Sequence, residues 1–264
     1  MEGSHYLANF MDPCTRAPRL PAWRPSFEPG RASACQTRTL TVSLPGQEDF
    51  ILTSLADRQQ YSDPGGEAAQ LGISSALWPL SGLLWPSSLY LATALMSHRI
   101  EAGTRILEIG CGLALPSLAC HRRGWDITAS DHHPLVYRFL RQNLVLNQLP
   151  ATLPYRHGDW NGTATQTPYT RHVGLLAQAF DFILGSDLLY ERDAAPALAA
   201  FIHAHAEPAC SVWIVDANRG GRPAFTRSMQ AHGFELRENL NLNRRPCLSG
   251  ARSYKGHLLK YRRA

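Results

Sequence analysis

Five acidic residues, Glu108, Asp131, Asp159, Asp187 and Asp216, each stand at or near the end of a short apolar run. Glu108 sits in Leu107-Glu108-Ile109-Gly110-Cys111-Gly112. Two glycines one residue apart, after a buried strand and before a helix, allow a tight turn and a close approach of backbone to a ligand. The helix that follows brings unpaired N–H groups to the same place. A dinucleotide-binding turn would need a third small residue where Leu115 stands, and an acid two positions before Gly110 suits a cationic ligand better than a phosphate. Asp131, 23 residues after Glu108, is placed to accept hydrogen bonds from ribose hydroxyls. Asp159, in Gly158-Asp159-Trp160, can accept from an exocyclic amine such as that of adenine, with Trp160 packed on the base. Trp78 and Trp85, upstream of the glycine turn, are candidates to wall the site.

Strands alternating with helices must position these groups. The apolar runs predict strands at Ile106–Ile109, Trp125–Ser130, Leu153–Tyr155, Phe180–Leu184, Ser211–Val215, Phe234–Leu240 and Tyr254–Tyr261. Helices are expected from Pro86 to about His98, over Leu115–Arg123, from Pro134, and over Ala194–His205 and Ala224–His232. Residues 161–178 read as a polar loop. The expected architecture is α/β: a seven-strand, mostly parallel Rossmann-like sheet with helices on both faces and ligand at the C-terminal strand ends. There the five acids would form one rim. Before the sheet, residues 1–35 carry Pro13, Pro18, Pro21, Pro25 and Pro29 and read as a flexible arm. Residues 36–75 hold a short hairpin, Thr39–Leu44 and Asp49–Leu52 around Pro45-Gly46, then a turn-rich loop that packs along the sheet edge or covers the cleft. Residues 76–264 form the main domain.

With 264 residues, 44% of them hydrophobic and 18% charged, the chain has the composition of a globular protein. It shows neither a long apolar span nor a secretory leader. Six cysteines without a C-x-x-C pair speak against a zinc site and for reduced thiols, and with the absent leader give an expected cytoplasmic location. Residues 219–264 carry eleven Lys or Arg against Glu235 and Glu238, while the rest of the chain is net −4. That asymmetry fits the solvated face of two terminal strands, or a surface for nucleic acid.

As an ordered set the motifs resemble the class I, seven-strand S-adenosylmethionine-dependent methyltransferases over roughly residues 76–264. Leu107 to Gly112 looks like their first motif, Asp131 their ribose-binding acid and Gly158-Asp159-Trp160 their adenine segment. Leu84-Trp85-Pro86-Ser87, and Asp187-Leu188-Leu189-Tyr190 after strand four, resemble the small protein-lysine methyltransferases with an Asp-x-x-Tyr motif. The loop Asp216-Ala217-Asn218-Arg219 is similar to that of some relatives. One departure is Ala114, where the family usually has a third glycine.

The resemblance implies S-adenosyl-L-methionine held by Trp85, Glu108, Gly110, Gly112, Asp131, Asp159, Trp160 and Ser186, with no metal. Glu108 would lie near the cationic methionine part. Asp187 would orient an acceptor amine and Tyr190 line its channel. The acceptor it implies is a lysine side chain of a protein, with a small amine or heterocycle as the alternative. Base methylation of nucleic acid fits less well, because Leu188 and Leu189 replace the two prolines such enzymes carry after strand four. A non-catalytic adenosine-ligand or nucleic-acid binder is the reading from another class.

Overall fold

In the computed structural model, residues 35–161, 166–190, 194–243 and 254–263 are described. The expected flexible arm therefore lies, but for Cys35, outside the described residues. A two-stranded antiparallel hairpin comes first, β1 (Thr37–Val42) and β2 (Phe50–Leu55). Then follow a short helix α1 (Glu67–Gln70), a 3-10 turn (Trp78–Gly82) and helix α2 (Pro86–Met96). The alternating part runs β3 (Ile106–Ile109), α3 (Leu115–Arg122), β4 (Ile127–Asp131), α4 (Pro134–Leu146), β5 (Tyr155–His157), α5 (Pro168–Val173), β6 (Phe180–Ser186), α6 (Ala194–Ala204), β7 (Ala206–Asp216) and α7 (Arg222–Ala231). Strands β8 (Glu235–Asn241) and β9 (His257–Arg262) close the chain.

Seven strands form one sheet in the order β5-β4-β3-β6-β7-β9-β8, with β9 antiparallel to both neighbours and the rest of the pairs parallel. Strand periodicity divides the core. Ile106, Phe182, Leu184, Trp213 and Val215 face the apolar residues of α2, α3 and α4. Their neighbours Leu107, Ile183, Val212 and Ile214 face α6 and α7. Strands covered on both sides read as continuous apolar runs, which is why they were visible in the sequence. Proline at the first or second position starts α2, α3, α4, α5 and α7, where its missing N–H costs nothing.

Three expectations are corrected. The polar stretch 161–178 contains α5, started by a capping box in which Thr167 and Thr170 bond each other's backbone. The third strand is shifted to Tyr155–His157, so Leu153 is buried before the strand rather than in it. Trp78 is a core residue, 3% exposed, its ring edge-on to His133 and Tyr61.

The hairpin is fixed to the sheet domain by amide side chains. Asn143 on α4 accepts from the Thr53 N–H at 2.7 Å. Asn147 accepts from the Ile51 N–H (2.8 Å) and donates to the Ile51 carbonyl (2.7 Å), occupying backbone groups that the two-stranded sheet leaves unpaired. Asn143 is fully buried. Replacing it by leucine strands the Thr53 N–H, and an expected loss of about 1–3 kcal/mol follows. Urea denaturation of Asn143→Leu measures it; an unchanged midpoint would show that the hairpin is held by other contacts.

Candidate functional site

The C-terminal ends of β3, β4, β6 and β7 open into one cleft, lined among others by Trp85, Gly110, Gly112, Asp131, Trp160 and Ser186. Asp187 and Tyr190 of the Asp-x-x-Tyr segment line the same cleft. A neighbouring recess shares Leu80, Ser81, His132, Trp160 and Tyr190 with it and adds Asp159, Asn161 and residues 71–73. Part of the turn-rich segment before α2 thus walls the recess.

Of the five acids expected on one rim, the structure brings three to the front. Glu108 is fully buried inside β3 and does not line the cleft. Its Oε2 accepts from both the N–H and the hydroxyl of Ser117 in the first turn of α3. Pro116 has no N–H to offer and the Ser117 N–H is taken by the chain's own carboxyl, so two of the first three positions of α3 offer nothing to an anion. Burial pushes the Glu108 carboxyl up to about 8 against the Ser117 hydrogen bonds, and Oε1 is buried without a partner. Asp216 is likewise 1% exposed and set behind the cleft, with Arg222 at 3.8 Å.

Asp131 ends β4 and joins three segments. Its Oδ2 accepts from the Gly112 N–H (3.0 Å) and its Oδ1 from the His133 N–H (2.9 Å). Its main-chain carbonyl accepts from the Tyr155 hydroxyl at 3.0 Å. Burial would raise this carboxyl, but His132, whose Nδ1 lies 3.5 Å away, and the two backbone donors hold it below the usual range. It is an ionised acceptor at the cleft wall with lone pairs to spare.

Gly110 and Gly112 have φ of 55° and 52°, so both need glycine for conformation. At Gly110 the space a Cβ would fill belongs to Leu188, 2.5 Å away, with Trp160 at 3.3 Å. The missing side chain thus admits protein packing as well as a ligand. Ala114 holds the left-handed conformation (φ 57°) in which the first motif usually has glycine.

Asp187 also has positive φ (57°), its N–H donating to the Val215 carbonyl at 2.8 Å. Its side chain is 9% exposed and accepts from Arg219 Nη2 at 2.9 Å. Burial, with Asp216 adding to it, raises this carboxyl against the pull of Arg219. The Trp85 indole N–H donates to the Leu80 carbonyl (2.8 Å), and its ring lies 5.6 Å from the Arg219 guanidinium. His132, Leu188 and Arg219 are cleft residues to which the sequence reading gave no role. Their signal was position alone: each lies in the loop that follows a strand. Asp159 lies in the recess, its Oδ1 accepting from the Asn161 N–H at 2.9 Å.

The profile of the lysine methyltransferase family matches residues 66–231. The chain belongs to that family. Its members are S-adenosylmethionine-dependent enzymes, and the matched stretch runs from α1 to α7. A Dictyostelium discoideum histidine protein methyltransferase 1 homolog is 30% identical over 127 residues, 47% of this chain and 38% of that protein. A human histone-arginine methyltransferase is 29% identical over 49% of this chain and 67% of its own length. The Danio rerio electron transfer flavoprotein beta subunit lysine methyltransferase is 24% identical over 64% of this chain and 67% of its own. The chain therefore spans well under half of the first of these relatives and two thirds of the others. Among solved structures, magnesium protoporphyrin IX methyltransferase from Synechocystis superposes with a TM-score of 0.51 at 12% identity, covering 78% of this chain and 88% of that one. That likeness bears on the fold alone.

The cleft fits the family's cofactor: an ionised acid at the end of β4, two left-handed glycines and two indoles meet there. Replacing Asp131 by alanine removes a charged acceptor, and affinity for S-adenosylmethionine is expected to fall by roughly 1.5–3 kcal/mol. Calorimetric titration decides it; unchanged affinity would take Asp131 out of the site.

Glu108 gives a second outcome. Its folded value near 8 stands above the ordinary 4.5, so its contribution to stability is present below 4.5 and lost as pH rises through 8. Glu108→Gln keeps an acceptor for Ser117 and removes that loss. Thermal melting should find the variant more stable than the parent at pH 9 and little changed at pH 5. A constant difference across that range would refute the titration.

Proposed function

We propose that this protein transfers the methyl group of S-adenosylmethionine to a side-chain nitrogen of another protein, and that the acceptor is lysine. The observation that carries the reading is a nearly buried carboxylate, Asp187, in the same cleft as Asp131 and Trp85, with the Arg219 guanidinium bonded to the carboxylate and 5.6 Å from the indole. An acid and an indole that share one cation suit a cationic side chain. The family description and the relatives' protein acceptors support it.

When bound, the cofactor supplies an electrophilic methyl group on a sulfonium cation. The residues of the chain do the rest by placement. Asp131 and the glycine turn would hold the adenosine and methionine portions, and Asp159 and Trp160 would meet the base. Asp187 would accept a hydrogen bond from the incoming amine and aim it. An attacking nitrogen needs a free lone pair, so an acceptor that arrives as an ammonium must release its proton to water before it reacts. Trp85, Trp160, Leu80 and Leu188 give the cleft apolar walls that lower an amine pKa, against the opposing pull of the Asp187 carboxylate. Tyr190, 37% exposed, stands between cleft and recess and would border the acceptor's entry.

The test is a transfer assay with methyl-labelled S-adenosylmethionine and desalted cell lysate. The expected result is label in a discrete protein band, recovered as methyl-lysine on hydrolysis. Label confined to small molecules would replace the reading by methylation of a small amine. Asp187→Ala should keep cofactor affinity within about threefold and reduce turnover at least tenfold; equal turnover would remove Asp187 from the chemistry.

A further inference from the structure

Asp187 already has a cationic partner, and the geometry around that partner resembles a seat for a ligand. The Arg219 guanidinium donates to Asp187 Oδ2 at 2.9 Å and lies 5.6 Å from the Trp85 ring. Asp187 is 9% exposed on its side chain, Arg219 42%. The ion pair is therefore lopsided. The carboxylate has little water to fall back on, whereas the guanidinium is partly in solvent and loses less on separation.

The loop that carries Arg219 is open around it. Asn218 and Gly220 have φ of 60° and 95°, and among the described residues no atom comes within 4 Å of the position of a Cβ at Gly220. On either side the loop is held. Asn218 accepts from Arg222 at 3.0 Å, and Gly221 lies so close to Leu189 that a Cβ would stand 3.1 Å from its carbonyl. The unpacked part of the loop is thus Arg219 and Gly220.

We infer that Arg219 holds the acceptor's place: its guanidinium fills the carboxylate-and-indole seat that a positively charged acceptor side chain takes, and acceptor entry exchanges one cation for the other. The inference rests on the reading of Asp187 as the acceptor-orienting acid and narrows it. A neutral donor replaces the hydrogen bond to Asp187 but not the charge, so the seat favours an acceptor that enters as an ammonium or guanidinium.

The exchange is measurable without cofactor, protein acceptor or turnover. The probe is n-butylammonium, which has the charge and stem of a lysine side chain. The reporter is the Trp85 indole N–H resonance, assigned by its loss in Trp85→Phe. In Arg219→Ala the seat is open, and n-butylammonium is expected to bind at least tenfold more tightly than to the parent. Arg219→Lys should behave like the parent, and Arg219→Ala with Asp187→Asn should lose the gain. Arg219→Met, which keeps the apolar stem and neither donates to Asp187 nor carries charge, serves as the opened form if the alanine variant melts early. Equal or weaker binding in the opened form, or no saturable shift, overturns the inference. Because methyl transfer is read separately, a protein that transfers methyl groups but shows no exchange refutes this inference alone. One that shows exchange without transfer refutes only the proposed reaction.

Discussion

The arrangement of the cleft depends on where Asp131 puts its oxygens. Gly110, Gly112 and Ala114 all hold positive φ, and a turn of this kind has no regular hydrogen-bond ladder to keep it in place. Asp131 supplies the missing tie. One carboxylate oxygen takes the Gly112 N–H, the other the His133 N–H at the start of α4, and the carbonyl takes the Tyr155 hydroxyl from β5. The turn after β3, the end of β4 and the start of β5 are thereby coupled. Charged hydrogen bonds in a site 4% exposed are stronger than the same contacts in water, so the tie outweighs the cost of burying the charge. The residue that would meet the ribose is the residue that shapes the turn.

The acids behind the cleft serve a different end. Glu108 lies beneath the helix end at which a dinucleotide fold would admit a phosphate, the N-terminal turn after the glycines. By accepting from Ser117 it satisfies a backbone group that would otherwise need water or an anion. The failure of the dinucleotide pattern at Leu115 has a physical counterpart here: the Ser117 N–H is taken and Pro116 has none, so the helix end offers a phosphate fewer donors. The identity of the acid matters less for direct contact than its position under the turn.

Much of this was legible because it is local. Apolar runs of four to seven residues, glycines at a turn and prolines at helix starts state their conformation within a few positions, and β3, β4, β6 and the helices that follow them lie close to where the pattern puts them. The glycine turn, Asp131, Trp85 and the Asp-x-x-Tyr segment converge as their order along alternating strands requires. What was not legible depends on partners distant in sequence. Nothing near Glu108 announces that its side chain turns toward α3, and only burial separates Trp78 from Trp85. Arg219 meets Asp187 across 32 residues. Helix α5 escaped because six residues with a threonine cap carry too little periodicity to register. In the basic C-terminal quarter, charge was visible and pairing was not. Arg237 meets Glu235, Lys260 meets Glu238, and Arg263 donates to the carbonyls of Ala206 and Glu207. These contacts tie β8 to β9 and the end of the chain to the start of β7.

Backbone strain carries the remaining information about the site. Among the described residues, four that are not glycine have positive φ: Ala114, Gln148, Asp187 and Asn218. Three of the four stand in the loops after β3, β6 and β7, around the cleft. Each such residue costs on the order of 1 kcal/mol and persists only where its surroundings over-determine it. At Asp187 the surroundings are the Val215 carbonyl, which accepts its N–H, and Arg219, which accompanies its carboxylate. A residue of ordinary conformation there would carry its side chain elsewhere. The strain is therefore part of how the carboxylate reaches the cleft. It marks Asp187 as a residue placed against its local preference, at the point where the proposed chemistry needs an acid.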